Sequence, residues 1–564
     1  MRKRRLLLAL VAVMALFVAA CGSDSNSDNG AEAPGTSTTA GETDNSSGDN
    51  DNVPEPTQGG KLTVGLEADC NSYAPWLSSC AQSGTNVSNA LFDPLVVLSN
   101  DGQMVPYLAE SVEPNEDATE WTVTLRPGIK FHDGTELTAQ VQKEAYEEFL
   151  LRSDSILSRG TKNVDEVRVD GDLTYTYVLN NENPQFVYEL AGGLGRPFSI
   201  EAARANPEDF GSKPVGTGPF KLVSWVRDGS LVAERNSDYW QEGLPYLDEI
   251  TFVPLPDEDS RQASMQSGDV DAVLYARLGV YLKRYQDLAE QGEVNIYLQP
   301  GDVASGILLN TAMPPIDDLR VRRGLTQMLD PEQLIVIVAE APVASPRQLQ
   351  VDESSPFFSE KAAEAYPAYD EEAGKALVQE YIDDPNRSDG KAPGSPITFR
   401  YMYTNTPSLA TQAQYLQSRW GEAGAEVTLI ANEMAQSIQN VLKGDFEMVF
   451  WRPGLSVSPL STIRGEYMNP DDLSNYANWT DPRIHEAEAE LSTAKSFDDE
   501  YAAVEKFLTA VADQVVFIMV ASNNEFFATS PDIFGIDSWK TPDGVLGYGA
   551  RSGATFWGQV YKSK

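Results

Sequence analysis

The segment TEWTVTLRPGIKFHDGTEL, residues 119–137, sets the architecture of this chain. Trp121, Val123 and Leu125 fall on one face of an extended strand, and Thr122 and Thr124 on the other. A period of two marks a half-buried strand, and Pro127-Gly128 after it marks a turn. EVTLIAN (426–432) repeats the pattern with Val427 and Leu429. Helical periods lie between such strands. In SLATQAQYLQSRWGEAG (408–424), Leu409, Ala413, Leu416 and Trp420 recur three or four apart, and Gly424 supplies a stop. In SFDDEYAAVEKFLTAVADQVV (496–516), Tyr501, Val504, Leu508, Val511 and Val515 form one stripe, and Ser496 with Asp499 resembles a capping box. Thr138 is placed to cap a helix carrying Val141, Ala145 and Phe149. Strands alternating with helices, joined by connections rich in the 34 prolines and 42 glycines, read as mixed α/β.

The chain has 564 residues, room for about three or four domain equivalents. Its 41% hydrophobic content is enough for a sizeable core. Its 84 Asp and Glu against 42 Lys and Arg give a net charge of −42. That balance argues against nucleic acid as a partner, because phosphate backbones are bound by Lys and Arg. It argues equally against docking on anionic lipid through a basic face.

The amino end reads as a targeting segment. Arg2, Lys3, Arg4 and Arg5 precede the uncharged stretch Leu6–Ala20, which is short for a membrane span and suited to a signal-peptide core. It ends in Val18-Ala19-Ala20-Cys21-Gly22, which resembles a bacterial lipobox. That resemblance implies a diacylglyceryl-modified Cys21; the alternative is ordinary cleavage with Cys21 incidental. Removing residues 1–20 takes away four positive charges and no acidic ones, leaving −46. Residues 22 to about 58 carry eight acidic side chains, no Lys or Arg and almost nothing apolar, so they read as a disordered tether. Cys70 and Cys80 are the remaining cysteines. Export permits a disulfide between them, with two free buried thiols as the alternative.

The catalytic motifs are missing. There is no G-x-x-x-x-G-K-[ST], no G-x-S-x-G and no H-E-x-x-H. VGTGPFK (215–221) lacks a third glycine at dinucleotide spacing. His132 and His485, the two histidines, read as structural or solvated, and nothing groups a nucleophile with a base. No cofactor or metal is expected.

Four long stretches carry a family resemblance. They are residues 91–140 (LFDPLVVLSNDGQMVPYLAES…), 214–273 (PVGTGPFKLVSW…GDVDAV), 307–335 (ILLNTAMPPIDDLRVRRGLTQMLDPEQLI), and 424–451 followed by NWTDPRIHEAEAEL (478–491). Their content and order resemble the extracytoplasmic solute-binding proteins of ABC importers, in the peptide- and nickel-binding family 5. The resemblance runs from about residue 60 to 530. It implies an α/β, two-lobed periplasmic-binding-protein-like fold with an extra domain and a ligand cleft between the lobes. The core of the first lobe would comprise 59–90, 213–305 and 525–564, with an inserted domain at 91–212. The second lobe would be 306–524.

The resemblance also implies the site. Aromatic residues at strand ends facing the cleft are Tyr275, Tyr403 and Trp451, and Tyr73 and Trp76 lie in the loop after the first strand. Arg277 and Arg452 are cationic candidates; Arg452 either pairs with a carboxylate or phosphate, stacks on a ring, or faces water. Peptide-binding relatives carry an Asp three residues after the Trp, where this chain has Gly454, and Pro453 removes a backbone donor. Capture of a peptide amine is therefore in doubt, and nickel is disfavoured by the shortage of histidine. The implied function is a non-enzymatic, monomeric, lipid-anchored receptor that delivers a small solute, peptide or other organic, to an ABC permease and its ATPase. The alternatives are a secreted enzyme with an atypical site, or a signalling or adhesion lipoprotein that reuses the fold.

Overall fold

The computed structural model describes residues 54–563 except 79, 81, 158–160, 276–280, 300–303, 340–350, 352–354, 356, 452–474, 523–524 and 551–554. In chain order, strand β1 (Lys61–Leu66) leads to helix α1 (Gln82–Leu91), then β2 (Ala109–Pro114), β3 (Glu120–Leu125), β4 (Val164–Val169) and β5 (Thr174–Leu179). Next come β6 (Phe220–Trp225), β7 (Leu231–Arg235), β8 (Glu249–Pro254), β9 (Ala272–Tyr275), β10 (Asn295–Gln299) and β11 (Ala304–Leu309). Helix α2 (Leu319–Gln327), β12 (Ile397–Thr404), α3 (Pro407–Gly421), β13 (Ala425–Asn432), β14 (Met448–Trp451), α4 (Phe497–Gln514), β15 (Phe517–Ser522) and β16 (Glu525–Thr529) follow.

These strands form three principal sheets. The seven-stranded sheet has the order β10-β16-β9-β1-β8-β7-β6, with β1 parallel to β8 and β9. The five-stranded sheet has the order β13-β12-β14-β11-β15, with β12 parallel to β13 and β14. The four-stranded sheet β2-β3-β5-β4 is antiparallel throughout.

Periodicity places the cores. In β3, Trp121, Val123 and Leu125 are buried and their neighbours are not, as the alternation requires. The four-stranded sheet and one face of the seven-stranded sheet share a continuous core, which holds Leu62, Val64, Trp121, Tyr175 and Ala272. The five-stranded sheet is buried on both faces. Leu308, Met402 and Val449 face one core, while Ile307, Leu309, Tyr401 and Met448 face the other. Strands covered on both faces read as continuous apolar runs, which is why ILL and MVF look so unlike β3.

Helix ends follow their caps. Thr406 accepts from the Leu409 amide, with Pro407 in the first turn of α3, and Ser496 accepts from the Asp499 amide to start α4. Gly424 adopts φ +89°, open to glycine at no steric cost, and turns the chain from α3 into β13. Asp318 caps α2 by accepting from the Arg320 amide. Among the described residues no helix is long and apolar enough to cross a membrane.

His132 is a structural clamp. Its Nδ1 accepts from the Gly216 amide at 3.4 Å, so Nε2 carries the hydrogen and donates to the Gly218 carbonyl at 3.0 Å. Burial holds its pKa down at about 4. A ring neutral at ordinary pH, with both nitrogens engaged, fixes the VGTGPFK loop.

Candidate ligand-binding site

Strand register brings the chemistry to one edge of each sheet. Parallel β12, β13 and β14 end at Thr404, Asn432 and Trp451, with Thr404 beside Asn432 and Gly306 beside Trp451. Parallel β1, β8 and β9 end at Leu66, Pro254 and Tyr275, and Tyr275 pairs with Phe526. The chain passes between the sheets twice, after β10 and after β15. Gln299 pairs with Glu525 on one side of the crossings and Ala304 with Ser522 on the other. Both crossings therefore leave from the carboxyl ends of the parallel strands. Open α/β sheets bind ligands outside that edge.

A polar seam runs along helix α1 in the first lobe. Ser83, Asn86, Asn89 and Asp93 recur at helical spacing along and just past α1, and all four are buried. An amphipathic helix normally buries its apolar stripe; here a polar one is enclosed as well. Trp557 Nε1 donates to the Asn86 carbonyl at 2.7 Å, and Asn89 Nδ2 donates to the Thr555 carbonyl at 3.3 Å. Asp93 accepts from Tyr239 Oη at 3.1 Å and Trp240 Nε1 at 2.9 Å. Burial pushes its carboxyl up to about 7, and those donors together with Arg196 pull the other way. At the crossing edge itself, a Cβ at Gly549 would come within 2.6 Å of Gln299 Oε1.

Arg196 and Arg261 each keep one buried N–H without a partner, Nη1 in the first and Nε in the second. Arg196 Nη2 donates to Asn89 Oδ1 at 2.7 Å. Its Nη1 is buried with no partner, as are Ser83 Oγ and Thr555 Oγ1. Desolvation pulls the guanidinium down to about 10, with Asp93 opposing. By contrast, Arg322 donates to the Gln514, Ile316 and Asp317 carbonyls, each at 2.9 Å. Arg261 donates to the Leu255 and Pro256 carbonyls, and Arg387 pairs with Asp389. The Asp93 carboxyl is the acidic group that offsets the Arg196 charge, and one guanidinium N–H and two hydroxyls along the seam are without partners.

The aromatic candidates lie elsewhere than expected. Cys70 and Cys80 are joined as a disulfide with Cα atoms 4.9 Å apart. Asp69 pins their loop by accepting from Trp225 Nε1 at 3.1 Å and the Asp228 amide at 2.8 Å. Trp76 is packed among Phe149, Phe198 and Phe210, with centroids 4.8–5.2 Å away. Tyr73 meets Trp225 edge-on at 4.8 Å. Tyr275 stacks on Phe526 at 4.7 Å beneath the Arg261 guanidinium. These three rings are 1–2% exposed, so the expectation that they face ligand is corrected: core partners take up their faces. Tyr403 is also buried, 6.1 Å from Tyr401, whereas Trp451 is half-exposed and meets Tyr476 edge-on at 5.5 Å. Beside it on the second-lobe edge, Asn432 Nδ2 has no partner. Cys21, Arg277 and Arg452 lie outside the described residues.

Two α/β lobes joined by paired crossings, with unpartnered polar groups on each, define a binding protein of the solute-receptor class. The family model for bacterial extracellular solute-binding proteins, family 5 (Middle), matches residues 103–474, and the chain belongs to that family. The glutathione-binding protein GsiB of Pectobacterium atrosepticum is 25% identical over 360 residues. That match covers 63% of this chain and 66% of the relative, slightly under two thirds of its length. The fold is that of the ABC transporter substrate-binding protein CtaP of Listeria monocytogenes. The TM-score is 0.75 at 20% identity, covering 90% of this chain and 100% of that one. AgaA of A. tumefaciens R10, solved with agropinic acid, gives a TM-score of 0.72 at 21% identity, with 90% and 99% covered.

Proposed function

We propose that this protein is a lipid-anchored receptor that captures a carboxylate-bearing small organic solute between its lobes and delivers it to the permease of an ABC importer. The observation that carries the ligand class is Arg196, whose Nη1 is buried without a partner while its Nη2 donates to Asn89, which in turn reaches the Thr555 carbonyl. The carboxylate accepts from Arg196 Nη1. Glutathione and agropinic acid, named for the relatives above, are both acids, which agrees with this reading.

The first lobe comprises 59–90, 213–305 and 525–564 with 91–212 inserted, and the second lobe is 306–524. Residues 1–20 are a signal peptide, Cys21 carries the lipid, and 22–58 form the tether. Trp451 and Asn432 supply the second wall. Closure about the two crossings encloses the solute, and differential affinity for the closed form shifts the population.

The test is a thermal-shift and calorimetric screen of the mature protein. It compares glutathione, dipeptides and sugar acids with the matching amides and neutral sugars. A ligand that binds only the folded protein raises its Tm. At least one acid raises Tm while its amide does not, and Arg196→Met abolishes the response while the unliganded protein stays folded. Equal responses to acid and amide, or an undiminished response in the variant, overturn the reading. Mass spectrometry of the amino-terminal peptide checks the anchor: a diacylglyceryl adduct on Cys21 supports it, and an unmodified Cys21 removes it.

A further inference from the structure

Apart from the β11–β15 ladder at the crossings, the hydrogen bonds and ion pairs that described residues make between the second lobe and the rest converge on one place. Gln185 Nε2 donates to Glu500 Oε1 at 2.8 Å, and Tyr188 Oη donates to Glu500 Oε2 at 3.3 Å. Lys495 Nζ donates to the Glu116 carbonyl at 3.1 Å and lies 3.4 Å from Glu182 Oε1. Glu116 and Glu182 lie in turns beside the four-stranded sheet, and Gln185 and Tyr188 belong to the short helical segment that follows it. Lys495 and Glu500 flank the start of α4, more than 300 residues away in the chain. The Tyr188 ring packs against the second-lobe core, alongside Phe497 and Tyr501.

We propose that Glu500 is a latch that holds the inserted domain against the second lobe and thereby sets the resting balance between open and closed forms. This rests on the two-lobe closure proposed above, but it concerns a contact away from the solute. The chemistry suits a joint that opens and recloses. One carboxylate takes two hydrogens from the other domain, and one half-buried ring supplies the apolar contact. When the joint parts, the carboxylate, the amide and the phenol oxygen return to water, and the apolar surface exposed is that under the Tyr188 ring. Small polar interfaces between domains behave as transient ones. Lys495, exposed at the rim, adds a screened attraction that orients the approach rather than holding it. Contacts made only in the closed form favour it, and their loss shifts the population toward the open form.

The test uses the unliganded mature protein, so it is independent of which solute binds. Small-angle scattering and hydrogen exchange are compared for the wild type, Glu500→Ala, Gln185→Met and Lys495→Met. For Glu500→Ala and Gln185→Met, we expect a larger radius of gyration. We also expect exchange about tenfold faster at 186–191 and 497–503, with the four-stranded sheet as protected as before. Lys495→Met changes exchange less than twofold. Gln185→Met approaches the joint from the other domain, so a folding defect in Glu500→Ala leaves the question decidable. Unchanged scattering and exchange in Gln185→Met and in any folded Glu500→Ala protein overturn the latch. Loss of protection across the whole four-stranded sheet does so too, because it marks a domain-folding role. Failure of the solute screen leaves these outcomes untouched.

Discussion

Arg322 in the second lobe and Arg196 in the first hold buried positive charge differently. In the second lobe, Arg322 and Arg387 are satisfied by carbonyls and by Asp389, so their burial is settled within the fold. In the first lobe, Arg196 shares one hydrogen bond with Asn89 and keeps a buried N–H unused. A guanidinium whose hydrogens are all placed is a structural brace. Arg196, with a hydrogen to spare, is where the proposed carboxylate contact falls.

Removing each arginine separates the two roles most sharply. Arg322→Met strands three buried carbonyls and should cost about 3–5 kcal/mol in denaturant-unfolding stability, with solute affinity unchanged in the protein that remains folded. Arg196→Met should change stability by no more than about 1 kcal/mol, since the desolvation it relieves offsets the lost Asn89 bond and Asp93 attraction, while weakening carboxylate binding by about 30–100-fold in calorimetry. If Arg196→Met instead destabilises as Arg322→Met does, the contrast collapses and Arg196 is a brace as well.

The pH dependence of stability comes next in size. Folded His132 stays neutral to about pH 4, whereas the unfolded imidazole takes up its proton near 6.5. Its contribution is therefore complete above pH 6.5 and is lost as pH falls to 4. The loss is of the order of 3 kcal/mol and should be absent in His132→Gln. Asp93 has the opposite sign. With its folded pKa pushed up to about 7, its contribution is complete below the usual carboxylate range and fades as pH rises through 7. Asp93→Asn should flatten that alkaline side in urea titrations. The smallest effect belongs to the seam's hydroxyl. Thr555→Val, which removes an unpartnered buried oxygen at constant shape, should gain up to about 1 kcal/mol of stability in the same titrations.

Much of the fold is legible in local pattern. The alternation at Trp121, Val123 and Leu125, the stripe at Leu409, Ala413, Leu416 and Trp420, and the caps Thr138 and Ser496 each depend on neighbours within one element. The site is legible only in part. Trp76 suits a ligand wall as well as a core, and what decides is Phe149, Phe198 and Phe210, which are distant in sequence. The seam is not legible in the hydrophobic pattern, because its helix buries serine and asparagine and hydrophobic period gives α1 no inward direction on that face. The one local signal is the recurrence of Ser83, Asn86 and Asn89 three apart, ending at Asp93. The contact at Glu500 joins residues more than 300 positions apart, and nothing local announces it.

The direct pairing of Gln299 with Glu525 at the rim of the larger sheet has a practical corollary. Antiparallel neighbours in register can be closed by a two-residue hairpin, so the whole stretch from 300 to 524 is, in topological terms, a removable cassette. Deleting it behind an Asn-Gly hairpin yields a half-molecule whose own hydrogen-bond ladder is intact. Grafting a different cassette at the same two residues exchanges one jaw of the clamp while leaving the other jaw, and its carboxylate hook, as it was.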